Sequence, residues 1–212
     1  LHLSVHSFPT RRSSDLVKHF AAEFPERFFQ MGVAEQNMIG TAAGMATCGK
    51  TPFVSTFAVF GSARVADQIR NSIAYPELNV KIAVTHAGIT VGADGATHQA
   101  IEDIGIMRSI PKMTVIVPGD AVEAKEVVKA AAEYDGPVYM RFTRGGVPVV
   151  FDEEDYEFEW GKVMPVREGS DVTIFATGVM VGEALEAADS LAEQGIEAEV
   201  VNVHTIKPID VE

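Results

Sequence analysis

The chain lacks several things that would mark particular classes of protein. It has one cysteine, Cys48, so it can close no disulfide within itself, and a reducing compartment such as the cytosol suits it. Lys and Arg number 17 against 30 Asp and Glu, for a net charge of −13, and no basic run interrupts the acidity. Nothing would neutralise a row of phosphates, which argues against nucleic acid as a partner. The acidity serves solubility. No apolar run is long enough to span a bilayer, and no signal-peptide core opens the sequence. A cytoplasmic protein without membrane association is the expectation. Disorder is excluded too: 212 residues that are 47% hydrophobic and 22% charged supply one core, or one domain and part of a second.

The opening "LHLSVHSFPTRRSSDL" has no clean period of 2 or 3.6. It reads as translated linker or sequencing-adapter DNA, so residues 1–16 are taken as a non-native or disordered segment outside the fold. Order begins at Val17. A short helix over 17–24 ends at Pro25, and residues 27–30 are extended. Residues 33–48, rich in Ala, Gly and Met, form a helix that is hydrophobic on more than one face and so buried, with Gly49 as its stop. Strands are predicted at 52–56, 80–85, 114–117 and 138–142. Helices are predicted at 62–74, with Arg64, Asp67 and Arg70 on the polar side, and after Asp120, a natural N-cap. Apolar strands alternating with helices predict an α/β fold, a parallel sheet flanked by helices on both faces. Residues 17–150 make the first domain and the acidic stretch 151–170 a linker. A second α/β unit starts at Asp171 with one strand, a helix over 181–192 and another strand. One such unit cannot close a domain, so 171–212 reads as a truncated start.

Chemistry gathers at the predicted strand ends. Glu35, in "MGVAEQNMIGTAAGMA", is a carboxylate at the mouth of a buried helix; the helix dipole alone would favour it there. "THAGITVGADGATHQAIED" puts His86, Asp94 and His98 on one glycine-punctuated connection, a candidate acid/base cluster where open parallel sheets bind ligands. The histidine spacing and the single cysteine argue against a metal site. Phe57 and Phe60 lie just past a strand, where a flat ligand could stack. Arg141 and Arg144 in "MRFTRGG" suit a phosphate or carboxylate.

Together, "ERFFQMGVAEQNMIGTAAGMA", "STFAVFGSARVADQIRNS" and "THAGITVGADGATHQAIEDIGIMRSIPKMTVIVPGD" resemble the pyrimidine-binding domain of transketolase. The resemblance is greatest to the C-terminal subunit of the split, two-chain form. It covers residues 17–212 and implies thiamine diphosphate as cofactor. The glutamate matching Glu35 hydrogen-bonds N1′ of the aminopyrimidine and favours the imino tautomer, whose nitrogen takes the proton from the thiazolium C2. Phe57 and Phe60 match aromatics that pack on the pyrimidine. His98 matches a histidine near its amino group and the reacting carbons. His86 matches one that holds the donor ketose at its first hydroxyls. Asp94 matches the acid that reads the C2 hydroxyl, and Arg144 an arginine that grips the terminal phosphate.

Two departures stand out. The family's opening strand should precede Val17, and residues 1–16 do not supply it. The Gly-Asp-Gly…Asn signature that binds Mg²⁺ and the diphosphate is also absent. The resemblance therefore implies half a site, completed by a diphosphate-binding N-terminal subunit in a dimer or heterotetramer, and no activity alone. The implied reaction is ketol transfer between sugar phosphates, as in the pentose phosphate pathway. A 1-deoxy-xylulose-5-phosphate synthase fragment, whose family tends to carry "DRAG" where this chain reads "THAG", is the enzymatic alternative. The β subunit of a 2-oxoacid dehydrogenase lacks the "DGATHQ" pattern. A non-catalytic interaction module is the alternative from another class.

Overall fold

The computed structural model describes residues 2–6 and 15–212. In chain order the strands are β1 (His2–His6), β2 (Phe28–Gln30), β3 (Thr51–Ser55), β4 (Lys81–Val84), β5 (Thr114–Ile116), β6 (Val138–Arg141), β7 (Met164–Arg167), β8 (Val172–Ala176), β9 (Ala198–Asn202) and β10 (Thr205–Lys207). The helices are α1 (Asp15–Glu23), α2 (Glu35–Thr47), α3 (Ala66–Gln68, running on as the π-helical stretch Ile69–Ala74), α4 (Asp103–Ser109), α5 (Ala121–Glu133) and α6 (Met180–Ala192). One sheet has the order β10-β5-β6-β4-β3-β1-β2 and a second the order β7-β9-β8. Pairing in the larger sheet is parallel except for β10 on β5. This is the mixed α/β architecture with a mainly parallel sheet that the doubly apolar strands imply.

Successive residues of the central strands serve opposite faces. Tyr139 joins Ile82, Val84 and Val115 in a core shared with Met38, Ile39 and Ala42 of α2 and Met107 of α4. Its neighbours Val138 and Met140 pack with Val127 and Ala131 of α5 on the other face. Such strands carry no polar face, and helices cover both sides. The buried residues of α2 are Glu35, Met38, Ile39, Ala42 and Ala43, one stripe at i, i+3, i+4, i+7 and i+8. The helix is therefore buried on one side only; Gly40, Gly44 and Thr47 are exposed. Glycine and alanine have too little side chain for composition to distinguish the two situations. Asp120 does cap α5, its Oδ1 accepting from the Glu123 N–H at 2.9 Å.

The structure departs from the sequence reading in four places. Residues 2–6, set aside as foreign to the fold, form β1, which pairs with β2 on one side and β3 on the other. A five-residue strand needs only backbone partners on its two flanks, and five residues are too few for a period to register. Asp15 and Leu16 begin α1, while residues 1 and 7–14 lie outside the described residues. The supposed linker contains β7, and its Phe158 and Trp160 pack on the α5-side core. The predicted 62–74 helix is a 3₁₀ turn (Ala63–Val65), then α3 and its π-helical stretch.

The fourth departure is at the second unit. Its core is built by Val181, Ala184 and Ala188 of α6 on Ala198 and Val200 of β9. β10 then crosses to the larger sheet and pairs antiparallel with β5. Fully buried Glu123 joins the units: its carboxylate accepts from the Gly119 N–H, the Tyr156 hydroxyl and the Asn202 amide. Burial pushes this carboxyl above the usual range, opposed by those three donors.

Candidate functional site

The singled-out side chains follow the carboxyl ends of parallel strands, where an open sheet offers a crevice. Glu35 starts α2, just after β2 and the turn at Gly32. Phe57 and Phe60 lie beyond β3 in a turn pressed against β4. A Cβ on Gly61 would come within 2.6 Å of Val84 Cγ1, so only glycine permits that approach. His86 follows β4, and Arg144 follows β6.

Glu35 is 3% exposed, and its Oε2 accepts from Arg64 Nη1 at 3.0 Å. The Arg64 guanidinium carbon stands 4.1 Å from the Phe60 ring centroid, within cation–π range. Phe60 and Phe57 are nearly parallel, 8° apart with centroids at 6.1 Å. On Phe57 stacks His86, at 3.9 Å and 19°. His98 meets both phenylalanines edge-on, at 6.1 Å and 5.2 Å. The structure thus brings Glu35, Phe57, Phe60, His86 and His98 into one chain of contacts.

Burial lowers the His86 pKa from its ordinary value, with Arg144 and His98 pushing the same way and Asp94 opposing. The shift favours the neutral imidazole. Its Nδ1 shares a hydrogen bond with Thr85 Oγ1 at 3.0 Å. His86 also has a left-handed backbone, φ 59°, an uncommon state for a side-chain-bearing residue and one concentrated at functional sites. His98 Nδ1 is 3.0 Å from Thr97 Oγ1. Asp94 and Arg144 pair with each other at 3.7 Å, both about one-third exposed, and Arg144 also donates to the Val91 carbonyl.

Sequence reasoning missed two partners. Arg64 was read as merely polar, although it holds Glu35 from 29 positions away. Asp103, 1% exposed at the start of α4, accepts from Tyr139 OH at 3.0 Å and Arg141 Nε at 2.8 Å. Arg141 Nη2 also donates to the Ala100 carbonyl, which takes the Gly88 N–H as well. Arg141, a sequence candidate for anion binding, is thus tied into the base of the 86–100 loop. The only sequence signal for this clamp was an acid in the first turn of a helix.

A buried acid linked through one arginine to two parallel aromatic rings could meet one edge and one face of a flat nitrogen heterocycle. Among the described residues no group of three or more His, Cys, Asp or Glu is arranged to hold a metal ion. None of the predicted site residues lines the mostly apolar cavity of about 850 Å³ bounded by Phe20, Phe53, Val128 and Phe142. No helix among the described residues is long and apolar enough to cross a membrane.

Comparison with known proteins places the chain in a family. A family model described as "Transketolase, pyrimidine binding domain" matches residues 9–149, and "Transketolase, C-terminal domain" matches residues 161–212. The chain is 57% identical over 194 residues to a transketolase C-terminal section from Methanocaldococcus jannaschii, covering 91% of this chain and 61% of that protein. It is 51% identical over 196 residues to a 6-deoxy-6-sulfo-D-fructose transketolase subunit from Clostridium sp., covering 92% and 61%. A 1-deoxy-D-xylulose-5-phosphate synthase from Lysinibacillus sphaericus is 45% identical over 190 residues, covering 89% of this chain but 30% of that enzyme. The chain therefore spans about 61% of the length of its first two relatives. Among solved structures, a split-gene transketolase in an inactive β4 tetramer superposes with a TM-score of 0.87 at 53% identity, over 98% of this chain and 67% of that one. Two adjacent family matches, spanning all but the first residues and a short interval between them, make this chain a member of the transketolase family.

Proposed function

We propose that this chain is the C-terminal section of a two-chain transketolase, a cytoplasmic enzyme that moves a two-carbon ketol unit from a ketose phosphate to an aldose phosphate. The observation that carries the reading is buried Glu35, joined through Arg64 to the parallel Phe57/Phe60 pair, with both loop histidines on the same rings. These residues would hold the aminopyrimidine of thiamine diphosphate. When bound, the cofactor supplies the carbon nucleophile and electron sink for breaking and making the sugar's carbon–carbon bond.

Glu35 would hydrogen-bond the ring nitrogen N1′ in a position where water competes little. In the imino tautomer the shared proton resides on N1′, so the carboxylate then accepts from N1′–H. Phe57 and Phe60 present the flat surface on which the ring lies. His98 would stand beside the amino group and the reacting carbons. His86, held neutral, hydrogen-bonds the first hydroxyls of the donor, and Asp94 accepts from the C2 hydroxyl. Arg144 takes the distal phosphate, which replaces Asp94 as its anionic partner. The ligands of Mg²⁺ and the diphosphate belong to an N-terminal, diphosphate-binding partner in a dimer or heterotetramer, so the chain alone is inactive.

The test is reconstitution with such a partner, thiamine diphosphate and Mg²⁺. Ketol transfer from xylulose 5-phosphate to ribose 5-phosphate is expected, and none without the partner. Assembly and cofactor binding without turnover would identify a non-catalytic module. The 45% identical synthase relative gives the second enzymatic reading a concrete basis. Condensation of pyruvate with glyceraldehyde 3-phosphate would favour it; His86, in "THAG", argues for transketolase.

A further inference from the structure

Arg64 carries none of the roles set out above, yet it is the side chain that holds Glu35. The 63–65 turn is fastened to the first turn of α2 at two points: Arg64 Nη1 donates to Glu35 Oε2 at 3.0 Å, and Gln36 Nε2 donates to the Arg64 carbonyl at 3.3 Å. The two members of the ion pair are unequally placed, Glu35 at 3% exposure and Arg64 at 45%. The arginine is therefore free to remain hydrated and charged while it stabilises a carboxylate that has lost its water. Its guanidinium carbon also lies over the Phe60 ring, where a delocalised cation makes wider contact than a lysine's compact charge. One residue thus fixes both the acid and one ring of the aromatic pair.

We infer that Arg64 is a positioning residue: it engages Oε2 and sets the carboxylate's orientation, leaving Oε1 to accept from the nitrogen of a heterocycle lying on Phe57 and Phe60. The inference rests on the proposed role of Glu35. A carboxylate can accept through both oxygens, and an acid bound at one of them is ordered before a ligand arrives. Loss of the arginine leaves a buried acid free to rotate or to draw in water, so the cost falls on cofactor affinity and the cofactor-dependent step rather than on the sugar.

The experiment uses the complex assembled with a diphosphate-binding subunit. Binding of thiamine diphosphate with Mg²⁺ is measured by calorimetry for the parent, Arg64→Ala, Arg64→Gln and Arg64→Lys, alongside kcat and sugar KM. Arg64→Ala and Arg64→Gln are expected to weaken cofactor binding about tenfold and lower kcat about tenfold, with sugar KM unchanged within about twofold. Arg64→Lys restores the pairing but not the stacking, and recovers part of both losses. Parent-like cofactor binding and kcat in the alanine and glutamine variants would overturn the inference. So would a change confined to sugar KM, which would make Arg64 a substrate contact, or tighter cofactor binding, which would mean that it occupies the ring's place. Glu35→Ala in the same assays keeps the two readings apart. Full turnover in that variant sinks the proposed function itself; a dead Glu35→Ala beside a parent-like Arg64→Ala sinks only the inference.

Discussion

Glu35 shows how far a single position can be read. An acid in a first helical turn has an ordinary electrostatic explanation. What removes that explanation's sufficiency is burial to 3% together with an arginine that stacks on the neighbouring aromatic pair. The motif around Glu35 was visible in the sequence. Arg64 was not, because a pairing across 29 positions depends on how a turn after β3 meets the start of α2. Glu35→Ala is expected to abolish ketol transfer in the assembled enzyme while shifting stability by no more than about 1 kcal/mol, since the half-exposed Arg64 it leaves behind is readily hydrated; kinetics and urea unfolding of the same preparation check both halves. Arg144→Ala is expected to raise KM for phosphorylated donors about tenfold with kcat changed less than about twofold, the mark of lost ground-state binding. Unphosphorylated donors should be indifferent to the change. An equal loss with both kinds of donor would remove Arg144 from phosphate recognition.

The regular elements divide by length. α2, α5 and α6 were legible because thirteen residues give three or more turns of apolar spacing. β4, β5 and β6 were legible as mainly apolar runs; the one charged residue of β4, Lys81, is buried, and its Nζ donates to the Tyr134 and Gly136 carbonyls. β1 (HLSVH), β7 (MPVR) and β10 (TIK) are as short but mix polar with apolar residues, and are defined by the strands they pair with. Capping signals, being local, are more secure, and Asp120 proves more than a cap. Its Oδ1 takes the Glu123 N–H, and its Oδ2 takes the N–H groups of Val150 and Phe151 at 2.8 and 3.0 Å. Asp120→Ala should therefore cost more than an ordinary cap, about 2 to 4 kcal/mol, because it strands two further backbone donors. A shift in the urea midpoint matching 1 kcal/mol or less would mean that water replaces it at all three.

The two units are less separate than the sequence implied. The acidic composition of 151–170 hid Phe158, Trp160 and Tyr156, which bind this stretch to the first unit. His204 lies at the junction. It is 1% exposed and packs against Phe158 at 4.9 Å, its carbonyl accepts from the Val117 N–H at 2.8 Å, and its Nδ1 meets Thr205 Oγ1. Burial lowers its pKa from 6.5 to about 4. The folded chain thus binds this proton less readily than the unfolded one. The contribution is intact above pH 6.5 and is lost as the pH falls toward 4, amounting to about 3 kcal/mol. Urea unfolding at pH 7.5 and 4.5 should show that loss in the parent and not in His204→Gln; equal slopes in both would mean that the ring is hydrated in the folded state.

Half a site on this chain and half on a partner is a claim about where one carboxylate meets one ring. A crystal structure of the assembled complex with thiamine diphosphate and Mg²⁺ measures it directly. The aminopyrimidine is expected on Phe57 and Phe60, its N1′ within about 2.7 to 3.2 Å of a Glu35 carboxylate oxygen, and the diphosphate on the other subunit. A ring bound away from that pair, or a Glu35 turned to solvent with the cofactor in place, would contradict it.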